Sequence, residues 1–76
     1  MNKQRRNEIK SVIEQLQALQ SDIEALRDDE QEYYDNMPEN FQFGERGQAA
    51  EDAVSYMDDA ISTIDEVISS LESSAE

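Results

Sequence analysis

The amino-acid sequence predicts an all-α protein, an antiparallel two-helix hairpin with heptad repeats that dimerises into a four-helix bundle. Two observations support this fold class. Apolar residues recur with a seven-residue period in two long segments, and the only Pro and both Gly residues lie between those segments. A sustained heptad pattern indicates helices that pack lengthwise against each other. At 76 residues, the chain is predicted to form one domain, residues 1–76.

The first segment predicts a helix over about residues 5–36. Its apolar residues are spaced alternately three and four apart, and this spacing assigns them to heptad positions a and d. The a positions are Ile9, Leu16, Ile23 and Met37, and the d positions are Val12, Leu19, Leu26 and Tyr33. Glu30 is the one charged residue at an a position, and Ile13 and Tyr34 widen the apolar stripe.

Residues from about 37 to 46 are predicted to connect the two helices. Pro38 disfavours helical backbone at Met37, the residue before it. We expect the aromatic residues of this region to cover the end of the bundle. Aromatic rings beside one arginine can also stack on a nucleotide, so ligand contact remains an alternative role for this group. The candidate loop contacts are Tyr34, Phe41, Phe43 and Arg46.

The second segment predicts a helix over about residues 47–73, with three apolar positions in each heptad. Position a holds Val54, Ile61 and Ile68, position d holds Met57, Ile64 and Leu71, and position g holds Ala53, Ala60 and Val67. This stripe is broader than a two-stranded contact requires. Two helices cover only one shared stripe, and a chain of this size is marginally stable alone. We therefore expect a homodimer, with burial on a partner protein as the alternative.

The charge distribution is strongly asymmetric. The chain has 19 acids and 6 bases, a formal net charge of −13, and no base after Arg46. The basic residues near the N-terminus would lie beside Glu66, Glu72 and Glu76 in a hairpin. This acidity disfavours direct nucleic-acid binding and favours a basic partner.

The acids of the second helix fall at the e and f positions of successive heptads, about two carboxylates per 10.5 Å of helix. The predicted partner-binding residues are Glu51, Asp52, Asp58, Asp59, Asp65 and Glu66, together with Asp28, Asp29 and Glu32 of the first helix. A solvated helix face is the alternative explanation of this pattern. The absence of any base in residues 47–76 argues against it, because a solubilising face usually mixes both signs.

Several function classes are disfavoured by composition. Without Cys or His, the chain has no disulfide, no thiolate or imidazole metal site and no nucleophile–histidine pair. Acidic residues three apart occur only in the first helix, so the magnesium site of helical pyrophosphohydrolases is incomplete. We expect no enzyme activity, metal or cofactor. We also expect no membrane contact and a cytoplasmic location, because no long apolar run follows the basic N-terminus.

A short motif points to a possible origin. The run Asp35–Asn40, followed by Gln42, Gly44–Arg46 and Ala49–Ala53, resembles a group of short acidic helical proteins encoded by bacteriophages and mobile elements of Firmicutes. The similarity spans most of the chain. It implies a phage-encoded protein in the host cytoplasm. By analogy, small acidic phage proteins inhibit host nucleases and immune systems, some by mimicking DNA, but the resemblance assigns no individual residue a role.

Three hypotheses follow from the sequence. The first is an acidic interaction protein that blocks a basic, nucleic-acid-binding surface of a host protein, in the manner of a DNA mimic of anti-CRISPR or anti-restriction type. The second is a structural oligomerisation module whose charge only keeps it soluble. The third is a sponge for a nucleotide signal, bound at Lys3, Arg5, Arg6 and Lys10 or at the aromatic loop with Arg46.

Overall fold

The computed structural model describes all 76 residues, Met1–Glu76, and contains helices only. The all-α class is therefore confirmed. The helices are α1, Lys3–Asp35; α2, Glu39–Gln42; and α3, Glu45–Ser74. The short α2 lies in the region that the sequence analysis treats as a loop. No helix combines the length and the apolar content of a membrane-spanning segment.

The boundaries of α1 follow from local hydrogen bonding. Asn2 caps the N-terminus, where its Oδ1 accepts a hydrogen bond from the backbone N–H of Arg5 at 2.7 Å. At the other end, the backbone N–H of Met37 donates to the carbonyl of Tyr34 at 3.1 Å. Pro38 follows with no N–H to donate and with an extended ψ of 146°, so α1 cannot continue through it.

The connection between the long helices is compact. The carbonyl of Pro38 accepts hydrogen bonds from the N–H groups of Phe41 and Gln42, which starts α2. Gly44 then adopts an extended conformation, and its carbonyl accepts the first helical hydrogen bond of α3 from Gln48 at 3.0 Å. The side chain of Gln42 donates to the carbonyl of Tyr34 at 3.0 Å. This bond ties α2 to the end of α1.

The two long helices lie side by side along a molecule of 58 × 15 × 11 Å. Their contacts occur in reverse order along the chain, since Gln20 bonds to Asp65 and Arg27 bonds to Asp58. The core between them is thin. Only Gly47, Ala50 and Ile68 are buried, and they mark the line along which α3 contacts the rest of the chain.

The face that α1 turns towards α3 differs from the sequence-based assignment. On α3 the a and d positions face α1, as expected. On α1 the a positions are joined by the e positions, while the d positions point outward and are about half exposed. The e residues are more buried than the d residues, and they are Ile13, Gln20, Arg27 and Tyr34. Three of these end in polar groups that reach carboxylates of α3, so this rotation of α1 gains hydrogen bonds that an a and d contact would lack.

Candidate interaction surfaces

One side of the helix pair carries a row of polar contacts between e positions, which we term the cross-helix row. Its pairs are Tyr34 with Glu51, Arg27 with Asp58 and Gln20 with Asp65. The Arg27 Nη1 to Asp58 Oδ1 distance is 2.8 Å, and the Gln20 Nε2 to Asp65 Oδ1 distance is 2.7 Å. Asp58 and Asp65 are therefore hydrogen-bonded within the chain, and Glu51 lies within reach of the Tyr34 hydroxyl, although all three side chains still face solvent.

Arg27 is the only base of the chain that forms ion pairs. It contacts Asp58 at 2.8 Å and its neighbour Asp28 at 3.1 Å. The hydrogen bonds that Arg27 donates to Asp58 and Asp28 raise the pKa of its guanidinium, so this group stays charged. The basic residues near the N-terminus form no ion pair with Glu66, Glu72 or Glu76, although the sequence predicts that they lie beside these acids.

Tyr34 has a raised pKa. The main cause is the hydrogen bond from its hydroxyl to Glu51, followed by partial burial and the nearby charges of Glu51 and Asp35. The protonated phenol is the form that folding stabilises. Its contribution is therefore fully present below pH 10.0, the ordinary tyrosine pKa, and is lost as the pH rises through the raised pKa.

This raised pKa gives a testable result. In an absorbance titration of phenolate, Tyr34→Phe is expected to remove a component that titrates above the ordinary tyrosine value. Glu51→Gln keeps the tyrosine but removes the charged acceptor, and should move that component downward. If Tyr34→Phe removes only absorbance that appears near pH 10.0, the bond to Glu51 is absent in solution.

The f positions of α3 present a second row, which we term the carboxylate row: Asp52, Asp59 and Glu66. All three are exposed and none forms an ion pair. Asp52 accepts a hydrogen bond from Gln48 one turn earlier, at 2.9 Å. Successive members are seven residues apart, or about 10.5 Å along the helix. These carboxylates form a regular anionic edge beside the cross-helix row.

The acids of α1 divide between two sides of the molecule. Asp28 is at an f position and flanks the cross-helix row, where it pairs with Arg27. Asp29 and Glu32 are at g and c positions, which point away from α3. The nine acids predicted as one binding surface are therefore not all brought together. Because α1 uses positions a and e for packing, Asp29 and Glu32 lie on its outer side.

A shallow cavity of about 330 Å³ lies at the connecting end of the molecule. Its lining residues are Tyr33, Asn36, Met37, Pro38, Phe41 and Arg46. The Arg46 guanidinium lies 5.7 Å from the centre of the Phe41 ring, within cation–π range. Of the four candidate loop contacts, Phe41 and Arg46 meet here. Tyr34 instead faces α3, and Phe43 is 85% exposed outside the cavity.

The side opposite the cross-helix row is apolar. The sequence predicts that part of the broad α3 stripe is left uncovered, but it places the d residues of α1 in the helix contact, and these are open. The exposed fractions of Val12, Leu19, Leu26 and Tyr33 are 45, 55, 59 and 52%. Tyr33 shares a cavity with Arg46, a g position of α3, so the heptad period places the other d residues of α1 beside the g residues of α3. We term this surface the apolar face: Val12, Leu19, Leu26, Tyr33, Ala53, Ala60 and Val67.

The sequence contains a signal that points to this face. The e residues of α1 and the e acids of α3 recur with the same seven-residue period, and in an antiparallel pair the two sets lie opposite each other. Contact between these e residues turns the d residues of α1 outward, onto the apolar face.

No group of three or more carboxylates converges into a candidate metal site. Comparisons with protein-family models, curated proteins and solved structures give no match to this chain.

Proposed function

We propose that this protein is an acidic, non-catalytic interaction protein that binds a cationic surface of another protein and inhibits it by occupying that surface. The supporting observation is the shortage of counter-charges. The chain has 19 acids and 6 bases, and its only ion pairs are those of Arg27 with Asp28 and Asp58. The carboxylate row therefore faces solvent with no cation of its own, and a dense anionic surface attracts cationic ones.

The spacing of the acids suits a surface that binds nucleic acid. The e and f acids of α3 together supply about one charge per 5 Å of helix, comparable to the spacing of phosphates along one DNA strand, about 3.4 Å. A basic groove shaped for phosphates can accept such a row. The resemblance to phage proteins favours a host defence factor of the CRISPR or restriction type as the partner, in the host cytoplasm.

The proposed scaffold is an antiparallel hairpin that works as a homodimer in a four-helix bundle. Antiparallel order agrees with the reversed sequence of contacts between α1 and α3. Dimerisation would cover apolar surface that one helix pair leaves open and would display two carboxylate rows. Two rows on one rigid body can bind a two-fold or extended basic surface more tightly than one.

A matched pair of double variants tests the role of the carboxylate row. Asp59→Lys with Glu66→Lys reverses two members of the row. Asp29→Lys with Glu32→Lys makes the same change in net charge on the outer side of α1. Like charges facing each other across an interface cost several kcal/mol, so we expect the first variant to bind a captured partner about 100-fold more weakly and the second to bind nearly normally.

The measurement is capture of proteins from a Firmicutes lysate at low salt, elution with a salt gradient, and titration of the eluted protein against each variant. Binding through carboxylates weakens steeply as salt rises. If both double variants lose the same affinity, the net charge of the protein, and not the carboxylate row, determines binding. An affinity that does not change with salt would contradict charge mimicry altogether.

The exposed apolar face supports a second candidate, a structural oligomerisation module. In that case the acids only maintain solubility. Reversing the charges of Asp58, Asp59, Asp65 and Glu66 would then leave the function intact, whereas Ile64→Ala would abolish it. The inhibitor proposal expects charge reversal to abolish the function.

The cavity at the connecting end supports a third candidate, a sponge for a nucleotide signal. Tyr33, Phe41 and Arg46 supply two aromatic rings and one cation there. A panel of nucleotides in a thermal-shift assay distinguishes this candidate from the others, because only a sponge is stabilised by one of them.

A further inference from the structure

The apolar face has a composition that suits a second copy of this chain. Its α1 residues recur every seven positions and are each about half exposed. On α3, the c and g positions that border it carry no acid at all, although e and f positions carry two per heptad. A chain with a net charge of −13 repels itself over most of its surface. The α3 half of this face is the exception, since another copy can approach it without bringing the acids of α3 together. The α1 half has Asp22 and Asp29 at the g positions beside it.

The chain exposes more surface than a compact protein of its mass, and the excess is about what one dimer interface would remove. The accessible surface is 5638 Å². A compact monomer of 8.7 kDa exposes roughly 4,700 Å² by the usual scaling of area with mass. The excess is roughly 900 Å², close to the about 800 Å² that each partner buries in a standard interface.

Bases are concentrated at the end of the molecule that holds the chain termini, beside Glu72 and Glu76, and acids are concentrated at the connecting end. Residues 1–10 contain four bases and one acid, and none of those bases is ion-paired. Residues 27–46, at the connecting end, contain seven acids and two bases. A second copy laid in the same direction would bring the acidic ends together. A copy laid in the opposite direction places the basic end of each over the acidic end of the other.

From these three observations, we propose that a second copy covers the apolar face in the opposite direction, with α1 against α1 of the partner and α3 against α3. The two-fold axis passes near the middle of the face, between Leu19 and Leu26. This arrangement brings Lys10 of one copy near the level of Asp35 in the other. The proposal gives the geometry of the homodimer in the proposed function and rests on that dimer, but it does not depend on the identity of any other partner or on whether the carboxylate row binds a basic protein.

The oligomeric state tests the contact. We expect sedimentation equilibrium to give twice the chain mass of 8.7 kDa for the full chain. Leu26→Glu should reduce that mass to the monomer value. Ser21→Glu adds the same charge at an exposed f position of the same helix and should leave the dimer intact. A monomeric full chain, or a dimer that Leu26→Glu does not dissociate, would overturn the proposal.

Circular dichroism of the same samples covers the case in which Leu26→Glu unfolds. The Leu26 side chain is 59% exposed within one chain, so a single helix pair depends little on it. Loss of helix in Leu26→Glu but not in Ser21→Glu would therefore indicate that a second copy contacts this position, and it supports the proposal.

Spin labels test the direction. The chain has no Cys, so Ser11→Cys provides one label site per copy. Opposed copies place the two labels about 35 Å apart along the axis, at 1.5 Å per residue from the middle of the face, whereas copies laid in the same direction bring them within about 15 Å. Ala25→Cys lies near the middle and should give a short distance in both cases. A short Ser11 distance would overturn the opposed arrangement.

Discussion

Gly47→Ala is expected to lower the free energy of unfolding by about 1 to 3 kcal/mol, the usual cost of overpacking. Gly47 is buried where α2 crosses the first turn of α3. A methyl group built there lies 2.6 Å from the Cα of Gln42 and nearer still to its carbonyl group. The obstacle is backbone, so no side-chain rotation relieves it. In an open helix the same change would stabilise by up to about 1 kcal/mol, because alanine is the better helix former.

The measurement is urea unfolding followed by circular dichroism at one fixed protein concentration, since self-association would otherwise shift the midpoint. Gly44→Ser is the matched control. Its added carbon would lie 3.5 Å from the carbonyl oxygen of Asn40, an ordinary contact, and serine is a preferred residue where a helix begins. A Gly47→Ala variant as stable as the parent chain would show that α2 does not pack against α3.

Ile68→Ala is expected to destabilise by about 2 to 3 kcal/mol, towards the lower end of the range for isoleucine truncation. Ile68 is the one large side chain that is buried, at 6% exposure. The lower end applies because the core is one layer thick, so water and neighbouring side chains can partly fill the space. Thermal and urea unfolding both report this loss.

Ser69→Ala makes the comparison specific. Ser69 is the next residue along α3, its side chain is exposed, and the substituted residue is alanine in both variants. We expect stability to stay constant or rise slightly, because alanine favours helix more than serine does. If Ile68→Ala and Ser69→Ala behave alike, α3 does not use position 68 to contact α1.

The helical class could be predicted from the sequence because both long segments repeat with the period of a helix face. Pro38 likewise marks the end of α1, since it lacks the N–H that the next helical hydrogen bond needs. The short α2 was not predicted. Its four residues show no periodicity, and it is held by the Pro38 carbonyl and by close packing at Gly47, a contact between residues of different elements.

The surfaces were harder to predict for a related reason. Successive residues on a helix point about 100° apart. A rotation of α1 about its axis by part of this angle therefore decides whether Tyr33 or Tyr34 faces α3. Hydrophobicity alone favours the a and d positions. The polar ends of Gln20, Arg27 and Tyr34 shift the balance, but their effect appears only once the acids of α3 stand opposite them.

The reversed order of contacts also has a consequence for how the chain folds. Gln20 and Asp65 are 45 positions apart in the chain, and Arg27 and Asp58 are 31 positions apart. Tyr34 and Glu51, which lie nearest to α2, are separated by the fewest positions. The entropy lost on closing a loop rises with its length. We therefore expect the helices to join first beside α2 and to close towards the termini. Substitutions near α2 should mainly slow folding, whereas those near the termini should mainly speed unfolding.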